Sequence, residues 1–330
     1  MAITMKDVAE KAGVSIKTVS RVVNNQGEIS AETRQRIEAI IAELGYRPNL
    51  VARSLITQRT LTIGLIVVDI TNPFFAEVAR GVQDVARQNG YNVLLCNIDD
   101  NLHEQQKALE SLAAHSVDGI ILFPLEYYDD RLLSFVNQYR PVVLINHLLQ
   151  HPNVAVVLLD GAHGVQQAVN HLLERGHQEI AMLAGPKPIT GRGQRLQGYQ
   201  TALQGQGLAD SANRVIFSIP TQAQGYEQSK QLLSQHPHIT AIIAYNDLLA
   251  FGVIQACREL NIVIPDQCAI VGFDDIYFSN LVHPALSTVR VNKYEVGQQA
   301  MTRLLTMIND PKLTISPIKL GVELIVRESS

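Results

Sequence analysis

Ile16, Lys17, Thr18, Ser20 and Arg21 crowd one short segment, and together they present an apolar group, two hydroxyls and two cations. A short helix that shows small polar and basic groups at its start is what reading the DNA major groove requires. The surrounding stretch, residues 4–24, reads TMKDVAEKAGVSIKTVSRVVN and parses as two short helices around a glycine turn. Thr4 and Asp7 form a capping box for the first helix, and Val8, Ala9 and Ala12 give it an apolar face. Gly13 supplies the left-handed residue of a tight helix stop. Ser15 caps the second helix, in which Val19, Val22 and Val23 face inward and leave the five groups outside. An ordinary helical hairpin has the same outline, so at this level both readings stand.

A second set of chemistry-bearing residues is scattered along the chain, and only the elements around them explain their placement. Ser30 starts a third helix with Ile37, Ile40, Ile41 and Leu44 as its stripe and Gly45 as its stop. Residues 46–49 break the pattern. Residues 50–55 offer about two helical turns, too few to be stable alone in water, so a partnered helix and a flexible linker both remain open. From Leu61 the texture changes to alternating strand and helix. Strands are predicted at 62–68, 92–98, 119–123, 141–146, 154–160, 179–183, 215–219, 241–245 and 269–273. Helices are predicted at 74–88, 102–115, 162–175, 194–205, 223–235 and 247–259. Continuous apolar strands separated by helices predict parallel sheets covered on both faces, in two similar halves.

Ligands in such sheets bind beyond the carboxyl ends of the strands. There stand Asn72, Phe74 and Phe75 after the first strand, Asp99 after the second, Asn146 at the end of 141–146, Asn246 after 241–245 and Asp274 after 269–273. Arg195 sits in QRLQGY. An arginine with an amide and a carboxylate fits vicinal hydroxyls, and phenylalanines can cover a sugar or base face. Asp247 is read as a helix N-cap, Asp275 as a loop or cap residue and Asp160 as a cap. His147, His163 and His177 have no metal-ligand spacing.

The 330 residues allow two or three domains, and the 46% hydrophobic content allows large cores. Charge is unevenly split. Residues 1–60 carry nine Lys/Arg against six Asp/Glu, and residues 61–330 carry 18 against 25. A basic head on an acidic body suits a head that approaches phosphates. Cys96, Cys257 and Cys268 stand far apart in apolar settings, as core filler in a reducing compartment. No signal-peptide pattern opens the chain, and no apolar run is long enough to span a bilayer, which predicts a cytoplasmic location without membrane partners. No nucleophile elbow, phosphate loop or metal cluster is present, so no cofactor, metal or catalytic residue is nominated and the chain is not read as an enzyme. A sugar carrier is opposed by the headpiece.

The pattern DVAxxAGVSxxTVSRVxN, matched at every fixed position over residues 7–24, resembles the headpiece of the LacI/GalR family of bacterial transcription regulators. With QRLQGY matching the RxxGY stretch, the resemblance covers essentially the whole chain. It implies a small all-α helix-turn-helix headpiece over 1–46 and a hinge helix and linker over 47–60. An α/β body over 61–330, similar to type I periplasmic binding proteins, follows for effector binding and dimerisation. Its N-subdomain would hold about 61–160 and 291–319, its C-subdomain about 161–290 and 320–330, with crossings near 160, 290 and 320.

The resemblance assigns base reading to Ile16, Lys17 and Arg21. Arg21 would pair with guanine O6 and N7, Lys17 would reach guanine or phosphate, and Ile16 would touch a thymine methyl. Ser15, Thr18 and Asn24 match phosphate-bonding positions. Ala52 and Leu55 match the minor-groove hinge, where paired leucines kink the centre of the operator; for Leu55 the alternative is packing. Three positions depart from the pattern: Asn146 where relatives often have a carboxylate, Pro220 where some have an aromatic, and Val291 where one has glutamine. These departures argue against a purine.

The implied protein is a repressor of near-palindromic double-stranded operator DNA, controlled by a small effector, a sugar or sugar derivative. The alternative is a corepressor-dependent regulator sensing a nucleobase or other metabolite. With no leucine heptad tail after Glu328, a homodimer is expected.

Overall fold

The computed structural model describes residues 3–24, 27–46, 59–125, 130–139, 141–186, 193–208 and 214–330. The two hinge candidates, Ala52 and Leu55, lie outside them. The chain divides into two compact units, Met1–Thr60 and Leu61–Ser330.

The first unit holds α1 (Met5–Ala12), α2 (Ile16–Val23) and α3 (Ala31–Leu44). Each begins at the cap its sequence nominates: Thr4, Ser15 and Ser30 all accept a hydrogen bond from the backbone N–H three residues on. The Thr4–Asp7 box closes in both directions, with Thr4 N donating to the Asp7 carboxylate at 2.7 Å. That bond, together with the Thr4 hydroxyl, holds the Asp7 carboxyl below its ordinary range. Gly13 and Gly45 take φ of 65° and 64°, the left-handed stop a side chain would resist. Val8, Ala9, Ala12, Val19, Val22, Ile37 and Tyr46 form the core, and Val23, Ile40, Ile41 and Leu44 pack at its edge.

The second unit is built on two six-stranded sheets. In the first lobe the strands are β1 (Thr62–Val67), β2 (Asn92–Asn97), β3 (Ile120–Leu122), β4 (Val142–Ile145), β5 (Val154–Leu159) and β11 (Ile318–Leu320). Their order is β11-β5-β4-β3-β1-β2, all parallel. The second lobe holds β6 (Ile180–Ala184), β7 (Val215–Phe217), β8 (Ala241–Ala244), β9 (Ala269–Asp274), β10 (Ser287–Arg290) and β12 (Glu323–Ile325) in the order β12-β10-β9-β8-β6-β7, with only β12 antiparallel. Five strands of each lobe therefore repeat one doubly wound order, and in each that order reverses at a single point: between β1 and β3, and between β6 and β8. The central strands are buried on both faces, which is why they read as unbroken apolar runs.

The helices are α4 (Pro73–Gln88), α5 (Leu102–Ala114), α6 (Asp130–Gln138), α7 (Gly161–Glu174), α8 (Gln194–Gly205), α9 (Gln222–Gln235), α10 (Asp247–Glu259) and α11 (Lys293–Asn309). The sequence reading misses α6 and α11. In α11 a period is present, at Val296, Ala300, Met301, Leu304, Met307 and Ile308, but polar residues and Gly297 interrupt its first half. Gly297 is there for contact: α11 crosses α4 so closely that a Cβ on Gly81 or Gly297 would strike the other helix's backbone, at Tyr294 and Val78 respectively. The chain passes between lobes three times, at Asp160, at Val291–Asn292 and at Gly321–Val322.

Candidate functional site

On the headpiece, Ser15, Ile16, Lys17 and Arg21 are exposed, and Ile16 keeps 49% of its surface. Lys17 and Arg21 lie one turn apart and so share a face, with Ile16 and Ser20 beside them. Ile16 lies outside the apolar core formed by the described residues of the head. The three phosphate candidates are engaged at helix ends. Thr18 N donates to Ser15 Oγ at 3.1 Å and the two hydroxyls bond at 2.9 Å, while Asn24 Nδ2 donates to Ser20 O at 2.9 Å. A phosphate there would meet groups already fixed in place.

In the body all eight sequence-nominated residues line one cavity of about 480 Å³, within the range of small-molecule sites. It opens at the carboxyl ends of the strands of both sheets, over both order-reversal points. Val68 and Asp69 follow β1, Phe123 and Pro124 follow β3, Pro186 follows β6, and Tyr245 and Asn246 follow β8. This is where doubly wound sheets splay their loops apart and leave room for a ligand.

The second-lobe wall is held from all sides. The Arg195 guanidinium lies 3.7 Å from the centre of the Phe273 ring and 4.3 Å from that of Tyr245. It donates to the Tyr245 carbonyl, and to Asp274 Oδ1 at 3.3 Å. Burial pushes the Asp274 carboxyl up to about 6, and the charges of Arg195 and Lys293 act against that rise. Asn246 spends both ends of its amide: Oδ1 accepts from Leu249 N at 2.9 Å and Nδ2 donates to the Pro220 carbonyl at 3.3 Å.

Asn246, with extended backbone, is therefore the N-cap of α10, and the cap reading of Asp247 is corrected. Asp247 is fully buried behind the cavity. It accepts from Ile276 N at 2.8 Å, Ser279 Oγ at 2.7 Å and Thr288 Oγ1 at 2.5 Å. Burial first, and the neighbouring Asp274 charge second, raise its carboxyl to about 7. Asp275 lies in a loop, paired with Arg290 and Arg327 at 2.7 Å each, and Asp160 does cap α7.

The first-lobe wall is different. Phe74, Phe75 and Phe123 meet edge to face, with centroids 5.0–6.0 Å apart. Asn72 caps α4 through Phe74 N at 3.0 Å. Asn146, at φ 57°, has a buried side-chain oxygen with no hydrogen-bond partner among the described residues. Asp69, Asp99 and Asp100 join the lining. Phe123, Tyr245, Asp69, Asp100 and Thr221 escape the sequence reading. The two aromatics end strands that it does identify, so extending its strand-end rule by one position would find them.

Among the described lining residues the carboxylates Asp69, Asp99, Asp100 and Asp274 face one cation, Arg195, itself pinned. Such a surface accepts hydroxyl and amine donors and repels anions.

A family model for "periplasmic binding proteins and sugar binding domain of LacI family" matches residues 60–326, and one for "bacterial regulatory proteins, lacI family" matches residues 4–49. A ribose operon repressor of Halalkalibacterium halodurans is 36% identical over 99% of this chain and 97% of its own. An HTH-type transcriptional repressor, PurR of Proteus mirabilis, is 35% identical over 99% of this chain and 96% of its own. The solved Lac repressor dimer bound to operator and an anti-inducer superimposes with a TM-score of 0.88 at 30% identity, covering 100% of this chain and 99% of that one.

Proposed function

Because the chain belongs to the LacI family of bacterial regulatory proteins, we propose that it is a dimeric repressor whose hold on operator DNA is set by an uncharged, hydroxyl-rich ligand in the body cavity. As a member of that family it is a sequence-specific DNA-binding transcriptional regulator with a ligand-binding body. The finer assignments are proposals. Ile16, Lys17 and Arg21 read bases, while Ser15, Thr18 and Asn24 hold phosphates and fix register. Residues 1–46 are the headpiece, 47–60 the hinge and linker, with Ala52 and Leu55 as its minor-groove groups, and 61–330 the effector and dimer domain. We place the protein in the cytoplasm and read it as a binder rather than an enzyme. The described cavity lining offers acceptors and one pinned cation, which suit binding.

The observation that carries the proposal is the convergence of eight dispersed residues on one cavity of sugar-accommodating size. Arg195, Asp274 and the unpartnered oxygen of Asn146 suit vicinal hydroxyls, and the phenylalanine group suits the apolar face of a sugar ring. The surplus of carboxylates argues for an uncharged ligand over a sugar phosphate. The ribose operon repressor makes D-ribose the first probe. A nucleobase corepressor is the second reading, favoured by the phenylalanine cluster. Exposed Leu94 and Leu95 on the edge strand β2, and Tyr277, Phe278 and Leu281 on the second lobe, supply apolar faces for the twin subunit.

Ligand that binds one lobe arrangement better shifts the population toward it, so operator DNA and ligand must change each other's affinity by the same factor. Selection of random duplex DNA on the purified protein, alone and with D-ribose or adenine, tests all of this. A near-palindrome released by ribose is the expected result; one recovered only with adenine reverses the sign of control. Arg21→Ala is expected to weaken operator binding by ~1–3 kcal/mol and to relax preference at one base pair. An unchanged preference removes Arg21 from the reading set.

A further inference from the structure

Lys293 is a cation where a cation is costly. Its side chain is 5% exposed, and it is the first residue of α11, at the positive end of the helix dipole. A buried ammonium persists only when its protons are taken up. Here backbone carbonyls take them: Nζ donates to Asp275 O at 2.7 Å, Asp274 O at 2.9 Å and Val291 O at 3.5 Å. The carboxylate of Glu77, on α4, lies 3.7 Å from the same nitrogen.

Asp274 and Asp275 have φ of 111° and 50°, two successive side-chain-bearing residues in the left-handed region. Such backbone persists only where its surroundings impose it. The surroundings are visible: both carbonyls of the turn fall on one ammonium, while the two carboxylates diverge. Asp275 is drawn to Arg290 and Arg327, and Asp274 to Arg195 in the cavity. Lys293 stands just past the second chain crossing, on the helix that packs against α4, whose own N-terminus carries Asn72, Phe74 and Phe75 into the same cavity.

We propose that Lys293 is a positioning residue for the ligand cavity: reaching back from the first lobe, it fixes the Asp274–Asp275 turn of the second and so sets where the Asp274 carboxylate points. The link to ligand rests on reading the cavity as the effector site. The charged groups that face Asp274 are Arg195, Lys293 and, behind it, Asp247; Glu77 faces Lys293 from α4.

The test uses the full chain carrying Lys293→Met, which keeps the stem and removes the charge, and Lys293→Arg, which restores charge. Carbon-13 titration of the aspartate carboxyls, with Asp274 assigned by its loss in Asp274→Asn, needs no ligand. Its midpoint is expected to rise by roughly one pH unit in the Met variant and to return in the Arg variant. Should Met at 293 prevent folding, Lys293→Gln, uncharged but able to donate, must show the same rise. An unmoved midpoint in the folded uncharged variants overturns the proposal. Calorimetry with D-ribose is the second arm, with Kd about tenfold higher for Met and restored for Arg. A moved midpoint with unchanged ribose affinity also overturns it, since the turn would then not serve the ligand. A wild-type protein that ignores ribose counts against the sugar reading instead, and the titration alone then decides the role of Lys293.

Discussion

The two walls of the cavity come from lobes with the same strand order, yet they are built to opposite plans. On the second lobe Arg195, Asn246 and Asp274 are each at most 9% exposed and tied to named partners. On the first, edge-to-face phenylalanines sit beside exposed Asp99 and Asp100 and the orphan oxygen of Asn146. One wall is preorganised, its polar groups already paid for in desolvation. The other supplies apolar cover, two carboxylates in contact with water and one buried acceptor oxygen. Orientation of a ligand should therefore come from the second lobe, and closure over it from the first.

The largest break in that contrast is Arg195→Ala. Truncating one partner of a buried charged pair costs ~2–5 kcal/mol, so effector response is expected to vanish in a fluorescence-anisotropy operator assay while operator binding survives. A retained response means the anchor is elsewhere.

The next effect is set by pH. Burial pushes the Asp274 carboxyl up to about 6, and no histidine is among the described lining residues. A ligand hydroxyl donating to its carboxylate is expected to bind more weakly as pH falls below about 6, and Asp274→Asn should flatten calorimetric affinity between pH 5 and 8. Stability runs the other way. Burial holds the carboxyls of Asp274 and Asp247 up at about 6 and about 7, above the ordinary aspartate value of 3.8, so the folded state holds the extra protons. Their contribution is greatest below the unfolded value and is lost as pH rises through 6 to 7. Melting is therefore expected to be higher at pH 5 than at pH 7.5, with a smaller difference in Asp247→Asn.

Smaller again is Phe75→Ala on the covering wall, expected to weaken the ligand by ~0.5–1.5 kcal/mol. A loss as large as that of Arg195→Ala would erase the distinction between walls. Smallest is Asp99→Asn, exposed and expected to change affinity within about 0.5 kcal/mol.

How far the sequence carried this reading follows from which forces act locally. Caps and glycine stops in the head involve neighbours three to five residues apart, so Thr4, Asp7, Gly13, Ser15, Ser30 and Gly45 were all legible. The strands were legible because burial on both faces writes an unbroken apolar run, and the strand-end rule then found the cavity. Asn246 and Asp247 were not separable, since both residue types cap helices well; only the packing of β9, β10 and the turn at Ile276 draws Asp247 inward. Lys293 was invisible for the same reason. Its partners are carbonyls, which every residue possesses, and the strain that aims them is not written in side-chain type.

The pairing of Gly81 with Gly297 has a further consequence for how the molecule is made. The face of α4 that α11 covers is completed by residues translated more than two hundred positions later, as the Tyr294 hydroxyl bond to Asp84 also records. On a ribosome the first lobe cannot finish while the second is being synthesised, although it begins first. The headpiece, by contrast, closes its core within its own first unit. A nascent chain therefore completes the headpiece core long before the cavity proposed to govern it, and that cavity is finished only near the end of translation.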